Sequence, residues 1–238
     1  MSRRKKVSVC IATFNGAKYL YKQINSILLQ MEEQDEIIIS DDSSTDNTLH
    51  ILKSFNDKRI KIYPNQAFKN PIFNFENALK NASGDYILLA DQDDIWVAGK
   101  VEAFINAFQN YDMVVSDHVV FNEEEIVYKS FFELVPSKPG IVHNLKKNTY
   151  YGCCMGFKRE ILKKALPFPK DIPMHDIWLG FVSDIYFKST FINYPYTLYR
   201  KHGSNVSNAT EIYSGNTIWI KIKNRINIIK YLPLLLTR

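Results

Sequence analysis

Apolar residues along this chain gather in short runs separated by stretches with helical spacing, the alternation expected of repeated strand–helix–strand units. Val7-Ser8-Val9-Cys10-Ile11-Ala12 predicts a first buried strand. Residues 17–29, with Tyr19, Leu20, Ile24, Ile27 and Leu28 on one face, predict the helix after it. The pattern continues with a strand at 36–40, a helix opening near Ser44-Thr45-Asp46 and running to about Phe55, and a strand at 59–63. A helix entered through Pro71 should end at Ser83-Gly84, with the glycine as its stop. Tyr86-Ile87-Leu88-Leu89-Ala90 predicts the next strand, followed by a helix near 98–110 and a strand at 113–116. Such units predict an α/β fold, with a mostly parallel sheet flanked by helices and ligands at the carboxyl ends of its strands. From about residue 117 the alternation degrades into mixed strands and helices, without an internal repeat, a low-complexity tract or a clear linker.

Composition narrows the class. With 238 residues, 46% hydrophobic and 23% charged, the chain can bury a substantial core as one domain. Cys10, Cys153 and Cys154 lack metal-site spacing, and reduced thiols in the cytoplasm are expected. The apolar run after Arg3, Arg4, Lys5 and Lys6 is too short for a secretory signal, and no apolar run is long enough to span a bilayer. The net charge of +5 resides at the two ends: residues 3–6 are all basic, and 213–238 contain Lys221, Lys223, Arg225, Lys230 and Arg238 with no acid. This is a poor match to a nucleic-acid reader, which needs a basic groove across the fold, and a better one to contact with an anionic membrane surface.

Candidate chemistry lies where the sheet should bind ligands. Asp91-Gln92-Asp93-Asp94 ends the apolar run 86–90 and so puts hard oxygen ligands on the rim of a sheet, within reach of a divalent cation and the phosphates it carries. An EF-hand is excluded, because the sixth loop position would be Trp96 rather than glycine. Residues 40–48 collect carboxylates and hydroxyls at a helix start. Ser44, Thr45 and Asp46 are assigned to capping, whereas Asp42 at the strand edge could accept the imide N–H of a uracil or thymine. Asp176 opens a helix after Pro169 and Pro173, and Arg200-Lys201-His202-Gly203 forms a loop suited to a diphosphate and its metal.

In this order the segments resemble the family 2 glycosyltransferases of the GT-A fold. The resemblance rests on Thr13-Phe14-Asn15-Gly16, Asp41-Asp42-Ser43-Ser44-x-Asp46-x-Thr48, Gly84-Asp85-Tyr86 leading to Asp91-Gln92-Asp93-Asp94-Ile95-Trp96, His175-Asp176-x-Trp178 and Tyr199-Arg200-x-His202-Gly203-Ser204-Asn205. It spans roughly residues 5–207, and the last three segments are similar to enzymes that transfer sugars such as rhamnose in bacterial surface polysaccharide synthesis. Ala98 and Gly99 stand where the family commonly has Pro-Asp, although Lys100 remains.

The resemblance implies a cytoplasmic, metal-dependent inverting glycosyltransferase with a Rossmann-like GT-A fold. It would use a UDP- or dTDP-sugar, dTDP-rhamnose among them, and a glycan or lipid-linked acceptor. Asp93 would bind Mg²⁺ or Mn²⁺, and His202 the metal or the diphosphate. Thr13, Phe14, Asn15, Asp42, Asp91 and Gln92 would hold the nucleotide sugar, with Lys69 the nearest basic support for the diphosphate. Asp176 would be the base. A nucleotidyltransferase should instead carry a basic Gly-rich loop near its N-terminus, which Thr13-Phe14-Asn15-Gly16 is not. A catalytically silent nucleotide-sugar-binding or scaffold protein could have lost Asp93 or Asp176.

The expected organisation is a glycosyltransferase domain over 1–212, with a nucleotide-sugar half at about 1–116 and an acceptor half at about 117–212, then a basic amphipathic segment at 213–238. In that segment Ile218, Trp219, Ile222, Ile226 and Ile229 fall on one helical stripe. Two uses are open to it: packing on the catalytic core or a second subunit of a homodimer, or peripheral attachment to the cytoplasmic face of a membrane.

Overall fold

In the computed structural model, residues 4–203, 205 and 218–237 are described. The sheet starts from β1 (Val7–Thr13), β2 (Glu36–Asp41), β3 (Ile60–Tyr63) and β4 (Tyr86–Ala90), connected by helices α1 (Ala17–Leu28), α2 (Thr48–Ser54) and α3 (Pro71–Asn81). These four strands pair in parallel in the order β3-β2-β1-β4. β5 (Ile95–Trp96), α4 (Lys100–Ala107), β6 (Met113–Phe121) and β7 (Ile126–Tyr128) follow. Next come α5 (Phe131–Leu134), α6 (Ile141–Lys146), β8 (Met155–Lys158), α7 (Leu162–Ala165), α8 (His175–Tyr186) and β9 (Ser189–Arg200), and last α9 (Ile218–Ile229) and α10 (Leu232–Leu236). Beyond β4 the sheet turns mixed. β8 pairs antiparallel with both β4 and β6, β9 runs parallel to β6, and β5 closes the far edge against β9.

Alternation along the central strands sends side chains into two cores, one on each face of the sheet. Val7, Val9 and Ile11 of β1 meet Leu20, Ile24 and Ile27 of α1, while Cys10, Ile38, Ile87 and Leu89 face α3 and α8 on the other side. Every residue of β1 except Ala12, and all of β2 and β4, is buried, which explains the apolar runs at the centres of these strands.

Three local expectations change. The helix predicted from Ser44 begins at Thr48, and the one predicted over 98–110 is confined to Lys100–Ala107. Gly84 does not stop α3, which ends when Ala82 turns extended (φ −72°, ψ 136°). Glycine is needed at 84 for close approach instead, because a Cβ there would lie 2.7 Å from the Ser8 backbone nitrogen.

The C-terminal helices rest on the side of the molecule formed by α6, α8 and the loop before α8. Ile228 and Leu235 are buried, Tyr231 stacks edge-on to Trp178 of α8, and Arg225 donates to the carbonyls of Leu145 and Lys146. Asn227, Lys230 and Tyr231 all bond Asp171. Among the described residues, no helix is long and apolar enough to cross a membrane.

Candidate active site

The carboxyl ends of β1, β2 and β4 open into a cavity of about 870 Å³. Its lining includes all ten residues expected to hold the donor, the metal or the acceptor proton: Thr13, Phe14, Asn15, Asp42, Lys69, Asp91, Gln92, Asp93, Asp176 and His202. The parallel strands bring the first eight to one rim, and α8 and the loop after β9 supply the other two.

The rim is built by mutual hydrogen bonding of the loops after β1, β2 and β4. The Gln92 amide accepts from Phe14 N (3.0 Å) and donates to Phe14 O (3.1 Å), so it braces the Thr13–Gly16 turn as it lines the cavity. Asn15 N donates to Ser44 Oγ (2.8 Å), Asn15 Oδ1 accepts from Thr45 N (2.8 Å), and Gly16 N donates to Thr48 Oγ1 (2.9 Å). Ser44 and Thr45 therefore tie one loop to another rather than capping a helix. Asp46 does serve α2, accepting from Thr48 N (2.9 Å), and also takes Ala17 N at the start of α1 (3.1 Å). Asp42 accepts from Phe68 N (2.7 Å) and Asn70 N (3.3 Å), leaving lone pairs for a further donor. Asn15, Ser43 and Lys69 hold positive φ (48°, 62° and 50°) in these rim loops, a strained conformation that the surrounding bonds maintain.

The loop after β9 closes over Asp93. His202 Nε2 lies 2.8 Å from Asp93 Oδ2, Arg200 Nε donates to Asp93 O (2.9 Å), and Arg200 N donates to Asp94 Oδ1 (3.0 Å). Tyr19 stacks on His202, and the Arg200 guanidinium lies over Tyr19 and Phe121. An imidazole and a carboxylate meeting at the mouth of a cavity suit Mg²⁺ or Mn²⁺, which would complete its shell with phosphate oxygens and water. Asp91, Asp94 and Cys153 also come within 4.8 Å of one another. That group suits a hard cation less well, since the neighbouring Cys154, together with burial, holds the Cys153 thiol protonated. Burial, reinforced by Asp93, pushes Asp91 up to about 8 and raises Asp94 well above the carboxylate range.

Opposite the rim, Asp176 sits in the first turn of α8. Burial pushes its carboxyl up to about 7, against hydrogen bonds from Ile177 N (2.6 Å) and Gly152 N (3.2 Å) that favour the anion. The turn Gly152–Cys154 approaches this helix so closely that a Cβ at 152 would lie 2.9 Å from His175 Nε2. Lys100 Nζ, fully buried, holds that turn through the Cys153 carbonyl (2.8 Å) and also donates to Thr197 Oγ1 (2.8 Å).

Sequence reasoning missed Tyr151, Gly152 and Cys153, which line the cavity from the region where the alternation fades. It also missed the position of Lys100 beneath them. Only the Gly152 beside two cysteines marked the segment.

The model of the family described as "Glycosyl transferase family 2" matches residues 8–166. Among curated proteins, the chain is 30% identical over 209 residues to the Escherichia coli UDP-Glc:alpha-D-GlcNAc-diphosphoundecaprenol beta-1,3-glucosyltransferase WfgD, covering 84% of this chain and 79% of that one. It is 32% identical over 216 residues to the Shigella flexneri dTDP-rhamnosyl transferase RfbG, covering 82% and 72%. Among solved structures, S. aureus TarS in complex with UDP-GlcNAc superimposes with a TM-score of 0.69 at 20% identity, over 94% of this chain and 71% of that one. The Pyrobaculum calidifontis mannosyltransferase PcManGT, in complex with GDP-Man and Mn²⁺, gives 0.63 at 18% identity, over 98% and 71%. These two likenesses bear on the fold, which is GT-A.

Proposed function

Since the chain belongs to glycosyl transferase family 2 and is a glycosyltransferase, we propose that it moves a sugar from a UDP- or dTDP-sugar to a hydroxyl of a lipid-linked glycan, with inversion, in cell-surface polysaccharide synthesis. The observation that carries this reading is a single cavity lined by the Asp93–His202 pair and by Asp176. Relatives acting on a diphosphoundecaprenol-linked sugar and with dTDP-rhamnose support the acceptor class and the donor range.

The rim binds the donor. Asp42 receives the imide N–H of the base, Asp91 the hydroxyls of the ribose or donor sugar, and Lys69 stands at the mouth as a cation for the diphosphate. Asp93 and His202 would hold Mg²⁺ or Mn²⁺, whose charge, when bound, offsets that of the departing diphosphate. Asp176 takes the proton from the acceptor hydroxyl as it attacks the anomeric carbon. A base with a pKa of about 7 combines a useful ionised fraction with proton affinity, which the ordinary carboxylate range does not offer at neutral pH. One displacement from the face opposite the leaving group inverts the anomeric centre, so no covalent sugar–enzyme adduct is needed. Because the acceptor is anchored in lipid, the enzyme works at the cytoplasmic face of a membrane, attached peripherally.

The test offers UDP-, dTDP- and GDP-sugars with Mg²⁺ or Mn²⁺ and a short-chain GlcNAc-diphospholipid, reading nucleotide release and product anomeric configuration. Release that needs metal and an inverted product are expected. If no nucleotide sugar is turned over or raises the thermal midpoint, the reading fails.

A further inference from the structure

α9 has two occupied sides, and only one of them is covered by protein. Ile228 points into the fold and is 4% exposed, whereas Trp219 is 77% exposed, Ile222 43%, Ile226 57% and Ile229 46%. At the turn angle of an α-helix these four lie within roughly 80° of arc, on the side away from Ile228. Lys223 and Lys230 flank that arc on one side and Arg225 on the other. Leu232 and Leu234 extend the apolar surface into α10, at 37% and 38% exposure. The arrangement is not a loose core. The reverse side is pinned by Leu235, by the Asp171 contacts and by Tyr231 against Trp178.

We infer that this face of α9 and α10 docks on an anionic lipid bilayer, with Trp219, Ile222, Ile226 and Ile229 entering the headgroup–acyl boundary and Lys223 at the border of the arc meeting lipid phosphates, while Lys230 and Arg225 stay on Asp171 and on the carbonyls of Leu145 and Lys146. An exposed apolar arc bordered by Lys223, in a segment whose residues 213–238 include no acid, is complementary to a negatively charged interface. A self-complementary protein interface would instead present both charge signs around its apolar centre. The inference deepens the lipid-linked reading of the acceptor by naming the surface that meets the lipid. It also ties that surface to the base, since Tyr231 rests on Trp178, two positions after Asp176 in α8.

Vesicles alone test it, without donor or acceptor, so failure here is distinct from failure of the transfer reading. Trp96 and Trp178 are already buried, at 3% and 0% exposure, so a change in tryptophan emission on adding vesicles reports Trp219. With vesicles containing phosphatidylglycerol at low salt, the wild-type protein should co-sediment and its emission shift to the blue. Neutral phosphatidylcholine vesicles should capture much less. Trp219→Ser/Ile226→Ser should weaken the partition at least about tenfold with an unchanged thermal midpoint, and Lys223→Glu should lower it several-fold on anionic vesicles. Two results overturn the inference: wild-type protein that stays in the supernatant with unshifted emission, or a blue shift without vesicles that tracks formation of a dimer.

Discussion

The two walls of the cavity follow opposite rules. On the donor side, the polar groups of Asn15, Asp41, Ser44, Asp46, Thr48 and Gln92 are joined to one another or to the neighbouring loop backbone, so the rim is rigid before any ligand arrives. On the acceptor side, both ring nitrogens of His175 are buried without a hydrogen-bond partner, although the ring stacks on Phe75 at 4.1 Å. Burial keeps that imidazole neutral, with its pKa pushed down to about 3. Each unpaired buried polar group costs on the order of 1–3 kcal/mol. One wall is thus held by loops bonded to one another, with Asn74 Oδ1 and Asp94 Oδ2 as its unpaired buried atoms, while the other leaves a whole imidazole unpaired beside Asp176, the proposed base.

The largest effect should come from the donor wall. Asp93→Asn is expected to lower transfer by about 10³-fold, the scale of a lost electrostatic contact to a leaving group, with an unchanged thermal midpoint. Near wild-type turnover, or full wild-type activity in excess chelator, would remove the metal role.

Next is the acceptor wall. Asp176→Asn should cost about 10²-fold or more in turnover while the affinity for nucleotide stays within a few-fold. Wild-type turnover should fall as pH drops through about 7, where the base becomes protonated, and the variant should lose that limb. The same group makes a stability test. Its folded pKa lies above the unfolded value, so the stabilisation it gives is present below about pH 4 and lost as pH rises through about 7. At pH 8 the Asn variant should accordingly unfold at higher denaturant than wild type; lower stability there would contradict the raised pKa of Asp176.

Smaller and of opposite sign on the two walls are a pair of stability effects. Asp46→Ala removes acceptors from Thr48 N and Ala17 N and should destabilise by about 1–2 kcal/mol in urea unfolding, with weaker nucleotide binding. His175→Phe keeps a ring against Phe75 and deletes two unpaired nitrogens, so it should leave stability unchanged or raise it by about 1 kcal/mol. If both substitutions destabilise alike, the contrast between the walls is wrong.

The same contrast set what could be read from the sequence. The donor half announces itself because β1, β2 and β4 are buried on both faces and their chemistry sits at strand ends, where a linear motif such as Asp91-Gln92-Asp93-Asp94 is also a local structure. On the acceptor side, β9 is half exposed and carries Pro195, and its register against β6 shifts around Asp117, so it shows neither a clean alternation nor an apolar run. β8 has only four residues. Asp176 was legible through its helix start, but its setting was not, because Gly152 reaches it from 24 positions away. Lys100 stands in the sequence only as the residue that remains after Ala98 and Gly99, and its full burial could not be read, since its partners Cys153 and Thr197 come together only in the folded sheet.

β8 also sets the order in which the nascent chain can close. It lies between β4 and β6, yet residues 155–158 leave the ribosome after both. Once the first 121 residues have emerged, β4 and β6 each present a row of unpaired backbone groups that no segment made so far covers on that side. The four parallel strands can assemble early, but their sheet keeps a sticky edge until a short strand arrives more than thirty residues later. The other side of β6 waits longer still, for β9 at residues 189–200, so the open-edge interval in which aggregation competes with folding runs from the synthesis of β6 to that of β9.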